Sequence, residues 1–589
     1  MRGHRVRVGW VSAAAWVLTG LGGCGGDTVG ASADDTGPGP EEDGSGGPPA
    51  AGDAGPGPEG GPDGGSGSEA DASGLDDVVA SDARGPDAVG GSDASGGGAD
   101  AGELDAGGGG GDVGAADAAA TDSGSNAPGA GFDDRPVRWR VPPSGLDDGF
   151  FAASQAVGAR GWATLDLNGD GRPDLVQTAD PGDDAGRVLR DGAGPFWRVH
   201  LAVEGGFAPT ATRWAVPDSG LSDGFFAAFW GYDARWWYTV DLDGDRRPEL
   251  VQTANPSRAG GFVRTDTGGA FWQVWRSGPD GFAGSPVRWS VPSSGLGDGF
   301  FAPWMGLDAR QWALVDTDGD QRLDLVQTSD PTRPGGQVWR DASGPHWKAW
   351  RGTASGFEAA SRRFGVPDAG TTDGFFAAQY TSAAPGTRFW SLLDLDGDRR
   401  AELVQTADPV LPGGSVWRDA EGPFWRVHAM GADGFGAGRV VRVGDSGLPD
   451  GFFAAAYASS PALGGERFWT SLDLDGDGRV ELVQTADPEQ PGGFAFQDAR
   501  GPFWKVWRVG QGTEATRWSV PSSGLLDGFF AASWTDAPSG ARAWFLGDLD
   551  GDARLDLVQT ADPGYDGLRV PTDAEGAYWL VFRGARRAE

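Results

Sequence analysis

"DLDGDGRVELVQTADP", residues 473–488, sets Asp473, Asp475 and Asp477 two apart and follows them, four residues later, with Glu481. The first aspartate has counterparts at Asp166, Asp241, Asp316, Asp394 and Asp548, so successive copies lie 75, 75, 78, 79 and 75 residues apart. A fixed period of this kind outranks other fold signals, because each copy is one unit that buries its apolar face against its neighbours. Around the fifth copy, the runs "RFWTSLDL", "ELVQTADP", "FWKVWRVG" and "TRWSVP" are rich in β-branched and aromatic residues and are separated by Gly, Pro and Asp. Such runs are strands. Four principal strands per repeat, six times over, predict an all-β chain with one propeller blade per repeat, an arrangement that leaves few open sheet edges.

The two ends of the repeat region predict how it closes. The last repeat stops after "YWLVFRG" and lacks the "GF…RW.VP" piece that follows this strand in earlier copies. That piece stands at the start instead, as "GFDDRPVRWRVP", residues 131–142. Residues 138–142 are therefore expected beside the strand around Trp579. This closes a six-bladed β-propeller over 131–589 whose last blade is completed by the N-terminal strand. An open solenoid would need terminal caps.

Two further segments precede the repeats. Residues 1–24 carry Arg2, Arg5 and Arg7, then the apolar run "VGWVSAAAWVLTGLGG", then Cys24, the only cysteine of the chain. This is the layout of a secretory signal. "LGGC" resembles the lipobox of bacterial lipoproteins, which implies that Cys24 is lipidated and becomes the mature N-terminus. Gly25 stands where an enteric inner-membrane retention signal would have Asp, so the resemblance implies export to an outer membrane or cell surface. With one cysteine, no disulfide can form within the molecule. Residues 25–130 are almost entirely Gly, Ala, Asp, Ser and Pro, with Arg84 the only basic residue and no aromatic. That composition cannot build a core, and it predicts a disordered tether of roughly 57 Å end to end. The formal charge of −37 argues against nucleic acid, whose phosphates require a basic surface.

Within each Asp-rich stretch, positions one, three, five and nine are oxygen donors in every copy, all of them carboxylates except Asn168. Hard cations take six to eight oxygens, so this density of short acidic side chains makes calcium the chemical first choice. The loops resemble those of the FG-GAP and VCBS repeat families, which include the integrin α-subunit propeller. That resemblance covers 131–589. It implies side-chain donors at positions one, three, five and nine and a backbone carbonyl at position seven, with up to six calcium ions. The first three sites would be Asp166, Asn168, Asp170 and Asp174 with Arg172; Asp241, Asp243, Asp245 and Glu249 with Arg247; and Asp316, Asp318, Asp320 and Asp324 with Arg322. The others would be Asp394, Asp396, Asp398 and Glu402 with Arg400; Asp473, Asp475, Asp477 and Glu481 with Arg479; and Asp548, Asp550, Asp552 and Asp556 with Arg554. The family pattern favours glycine at position six, which only Gly171 and Gly478 supply; Arg246, Gln321, Arg399 and Ala553 depart from it. If the position needs positive φ, those four sites are weaker. The alternative is a set of Asp-Gly turns without metal, against which stands the mutual repulsion of four carboxylates on nine residues.

Catalytic constellations are sparse. His4 leaves with the signal, and His200, His346 and His428 fall on or beside strands of different repeats. There is no H-E-x-x-H and no phosphate-binding glycine loop. Repeated acids outside the loops include those of "DGFF": Asp148, Asp223, Asp298, Asp373, Asp450 and Asp527. Of 27 tryptophans, Trp197, Trp272, Trp347, Trp425, Trp504 and Trp579 share one register and are expected to pack between blades, with sugar stacking as the other use. The expected function is a membrane-anchored, calcium-stabilised, monomeric ring that binds a glycan, protein or surface polymer without catalysis. A polysaccharide-active enzyme using the propeller as scaffold is the alternative.

Overall fold

The computed structural model describes residues 130–585, except 233, 308, 334, 383–387, 412, 459–466, 536–541 and 566. The signal with Cys24 and the tether expected over 25–130 therefore lie outside the described residues, Ala130 aside. Every regular element described is a β-strand, and none is a helix.

The first repeat shows the plan. Strands Gln155–Val157, Arg160–Leu165, Asp174–Gln177, Gly194–His200 and Thr212–Ala215 pair antiparallel in that order, and the short Leu189–Asp191 pairs beside Gly194–His200. The strands form six sheets, one for each Asp-rich loop. Their third strand is "DLVQ" or "ELVQ", and all four of its residues are buried in every copy. Burial on both faces means that each sheet is covered on both sides by its neighbours. Directly opposed tryptophans, Trp197 with Trp214 and Trp272 with Trp289, fill the space between strands.

Neighbouring repeats are clasped twice. The Thr of "VQT" donates its hydroxyl to a Phe carbonyl of the next "DGFF": Thr178 to Phe226, Thr253 to Phe301, Thr328 to Phe376, Thr406 to Phe453 and Thr485 to Phe530. The tryptophan register does the same with the preceding Phe; Trp197 Nε1 lies 2.7 Å from the Phe225 carbonyl, and Trp272 Nε1 2.7 Å from that of Phe300. These six indoles are at most 1% exposed, so they serve packing and not sugar stacking.

Both clasps return from the last repeat to the first. Thr560 donates to the Phe151 carbonyl, and Trp579 Nε1 lies 2.8 Å from that of Phe150. Val137–Arg140 pairs antiparallel with Gly576–Phe582, Trp139 facing Trp579. The pairing expected of residues 138–142 is thus present.

Candidate functional site

Each Asp-rich stretch joins the second and third strands of its sheet as a tight loop closed by its own carboxylates. In residues 473–481, Asp473 accepts from the amides of Gly476 and Gly478, both at 2.8 Å, and Asp475 from Asp477 at 3.3 Å. Asp477 accepts from Arg479 at 2.9 Å, and Glu481 from Leu474 at 3.0 Å. Short acidic side chains hold turns in this way because they reach main-chain donors two to five residues on. The position-seven amides of Arg172, Arg247, Arg322, Arg400, Arg479 and Arg554 donate to the position-five acids Asp170, Asp245, Asp320, Asp398, Asp477 and Asp552 at 2.8–3.0 Å.

Two backbone requirements explain the glycines. Position four has positive φ in every copy, and the next loop presses against it: a Cβ at Gly476 would lie 2.3 Å from the Ala553 carbonyl oxygen, and one at Gly244 2.6 Å from that of Gln321. The series closes, since a Cβ at Gly551 would lie 3.0 Å from Arg172 Cγ. Position six also has positive φ. Arg246, Gln321, Arg399 and Ala553, at 75°, 72°, 72° and 71°, are the only non-glycine residues in that region among those described. A left-handed backbone at this position favours glycine.

The loops bring carboxylate oxygens together as a cation would need. Groups within 4.8 Å of one another are Asp241, Asp243 and Glu249; Asp316, Asp318 and Asp320; Asp394, Asp396 and Asp398; Asp473, Asp475 and Glu481; and Asp548, Asp550 and Asp552. In the first loop Asn168 takes one of those places, its amide 3.1 Å from Asp170. Asp243 Oδ1, Glu481 Oε1 and Asp550 Oδ1 are buried and receive no hydrogen bond. Burial pushes Glu249 and Glu481 up to about 8, and Asp174, Glu402 and Asp556 up to about 7, with neighbouring aspartates adding to the rise; burial raises Asp324 as well. Converging hard oxygens, some without a donor, fit a calcium ion chemically.

A second arrangement recurs in all six repeats. Each "DGFF" aspartate holds an arginine at or just before the start of the second strand: Asp148 with Arg160 at 3.0 Å, Asp223 with Arg235 at 2.9 Å, Asp298 with Arg310 at 2.7 Å, Asp373 with Arg388 at 2.6 Å, Asp450 with Arg467 at 3.4 Å, and Asp527 with Arg542 at 3.0 Å. One oxygen takes the guanidinium, and the Oδ1 of all six is buried without a donor. Sequence reasoning set these acids apart from the metal donors but missed the arginines, although an Arg stands before a strand tryptophan in every copy.

Between the second and third repeats this pair lines a cavity of about 530 Å³, with Tyr232, Trp236, Phe301, Met305 and Leu307 as the other walls. Trp236 and Asp298 belong to the lining, but Trp236 Nε1 and Asp298 Oδ1 are themselves buried, without a hydrogen-bond partner. The histidines are elsewhere: burial lowers His200 and His428, which face the Ala208 and Gly436 carbonyls at 2.9 and 3.1 Å, and His346 pairs with Trp339 across two strands.

No family model and no curated protein matches this chain. Among solved structures it is similar to an Agrocybe aegerita lectin described as recognising non-reducing terminal N-acetylglucosamine, at 19% identity and a TM-score of 0.35, over 68% of this chain and 74% of that one. It is also similar to TcdB2-TccC3, at 14% identity and a TM-score of 0.23, over 66% of this chain and 16% of that one. The TcdB2-TccC3-Cdc42 complex gives 13% identity and a TM-score of 0.23, again over 66% of this chain and 16% of that one.

Proposed function

We propose that residues 131–589 form a six-bladed propeller that binds glycan without catalysis, is stabilised by calcium, and is displayed on a membrane through lipidated Cys24 and the tether. The observation that carries this reading is the cavity at Asp298 and Arg310. A pyranose has an apolar C–H face and a rim of hydroxyls that both donate and accept. Tyr232, Trp236, Phe301 and Met305 match the face, while the part-exposed Asp298–Arg310 ion pair matches the rim. The acid–arginine pair recurs six times, so weak sites on one scaffold would add by avidity. The FG-GAP and VCBS resemblance is supported by the convergence of the loop oxygens. When bound, calcium would supply positive charge at the loops and hold the second and third strands of each blade; the binding itself is done by the cavity's own side chains.

The test is a glycan array probed with the mature protein in calcium, followed by titration of a monovalent hit against wild type, Asp298→Asn and Trp236→Ala. Glycan binding that loses one site in either variant supports the reading. No glycan bound, or binding indifferent to both substitutions, overturns it. Release of new reducing ends would point to the polysaccharide-active alternative.

A further inference from the structure

The six loops are not electrostatically alike. One register, at the end of the strand that carries the buried tryptophan, holds Leu201, Arg276, Arg351, Ala429, Arg508 and Arg583. Each of its four arginines turns into the loop of its own repeat. Arg276 pairs with Asp243; Arg351 Nη2 lies 2.7 Å from Asp318 and 3.4 Å from Asp320; Arg583 Nε lies 3.5 Å from Asp550. Arg508 Nη2 lies 2.8 and 2.9 Å from Asp475 and Asp477, and its Nε is 3.6 Å from Glu481 Oε1. Leu201 and Ala429 bring no charge to residues 166–174 and 394–402. The residue before them differs too: the arginines follow buried Trp275, Trp350, Trp507 and Phe582, whereas Leu201 and Ala429 follow His200 and His428. The two exceptions stand three repeats apart.

A guanidinium so placed competes with a divalent cation. It sits against the carboxylates that calcium would draw to 2.3–2.6 Å, and two positive groups sharing those oxygens repel. Nor does it satisfy the site as a cation would. Glu481 is 1% exposed, yet its Oε1 and the facing Arg508 Nε both lack a hydrogen-bond partner. The arginine offsets the charge of the loop while leaving a buried carboxylate oxygen without a hydrogen bond.

We infer that Arg276, Arg351, Arg508 and Arg583 are resident counter-cations, so that the six loops fall into two classes: 166–174 and 394–402 bind calcium tightly, and the other four bind it weakly. The inference rests on the calcium reading of the loops.

Calorimetric titration of the chelator-stripped mature protein with calcium chloride tests this. Wild type is expected to show two sites at least tenfold tighter than the rest. Ala429→Arg, at an exposed position, removes one of them, and Arg508→Gln adds one. Six sites of one affinity, or a tight-site count unmoved by Ala429→Arg, would overturn the partition while leaving calcium in the loops. No calcium bound at millimolar concentration would overturn the calcium reading as well. Unfolding monitored by tryptophan fluorescence shows whether each variant is folded, and Ala429→Arg alone decides the matter if Arg508→Gln is not.

Discussion

Arg246, Gln321, Arg399 and Ala553 carry side chains where the backbone favours none, and the loop hydrogen bonds hold them there. A left-handed non-glycine residue costs about 1–2 kcal/mol, and glycine loses about 0.5–1 kcal/mol more conformational entropy on folding. Arg399→Gly is therefore expected to raise stability by about 0.5–1 kcal/mol in urea unfolding, and Gly478→Ala to lower it by about 1–2 kcal/mol; equal midpoints for all three proteins would contradict the strain account. The buried position-nine acids give a pH dependence of defined sign. Their folded values are raised to about 7 or 8, so the native state keeps protons that the unfolded chain has released. In chelator, stability should be greatest near the ordinary carboxyl value and fall as pH rises to about 8, and saturating calcium should flatten that fall by taking the place of the protons. A thermal midpoint with the same pH profile in calcium and in chelator would deny the loops their cation. At this scale the convergence of the loop acids could be read from their spacing, and the glycine preference at position six came with the resemblance to the FG-GAP and VCBS repeats. The Asp–Arg pairs could not be read from spacing, because the partners are 12 residues apart in three copies and 15 or 17 in the others, where the intervening turn lengthens.

Strands that alternate in sequence have one wet face, and "DLVQ" does not alternate because it has none. The apolar runs were legible as strands: "RFWTSLDL", "ELVQTADP" and "TRWSVP" contain Phe468–Leu472, Glu481–Gln484 and Thr516–Ser519, and "FWKVWRVG" covers all but the first two residues of Gly501–Arg508. The short outer strands, such as Tyr457–Ala458 and Phe496–Asp498, escaped notice because two or three residues carry no period. Polar residues at the end of the third strand look like a turn, but Gln252 and Thr253 are fully buried and tied to the Ser219 and Phe301 carbonyls. Thr253→Val keeps the shape and deletes the hydroxyl, leaving a buried carbonyl without its donor. The expected cost is about 1–3 kcal/mol in chemical unfolding, against little change for a surface threonine. A neutral result would mean that the clasp between repeats is made by apolar contact alone.

Across the whole molecule, the absence of the "GF…RW.VP" piece from the last repeat was enough to foresee where residues 131–142 go, because a sheet short of one strand exposes an edge that some other segment must cover. The clasps that repeat this closure in side chains could be seen only once the sheets were side by side. Deleting residues 131–142 should leave Gly576–Phe582 as an exposed edge and favour association between molecules, detectable as concentration-dependent light scattering; a deletion variant that stays monomeric with an unchanged melting midpoint would show the closure to be dispensable. Joining the two ends also sets the order of events in synthesis. Val137–Arg140 leaves the ribosome before any of the strands it belongs with, and its partner Gly576–Phe582 follows only after the six loops have been made. Contacts so far apart in sequence form late and slowly. Until the final strand arrives, the earliest one has only its short parallel contact with Gly206–Phe207, and the sheet it completes stays open until Gly576–Phe582 has been made.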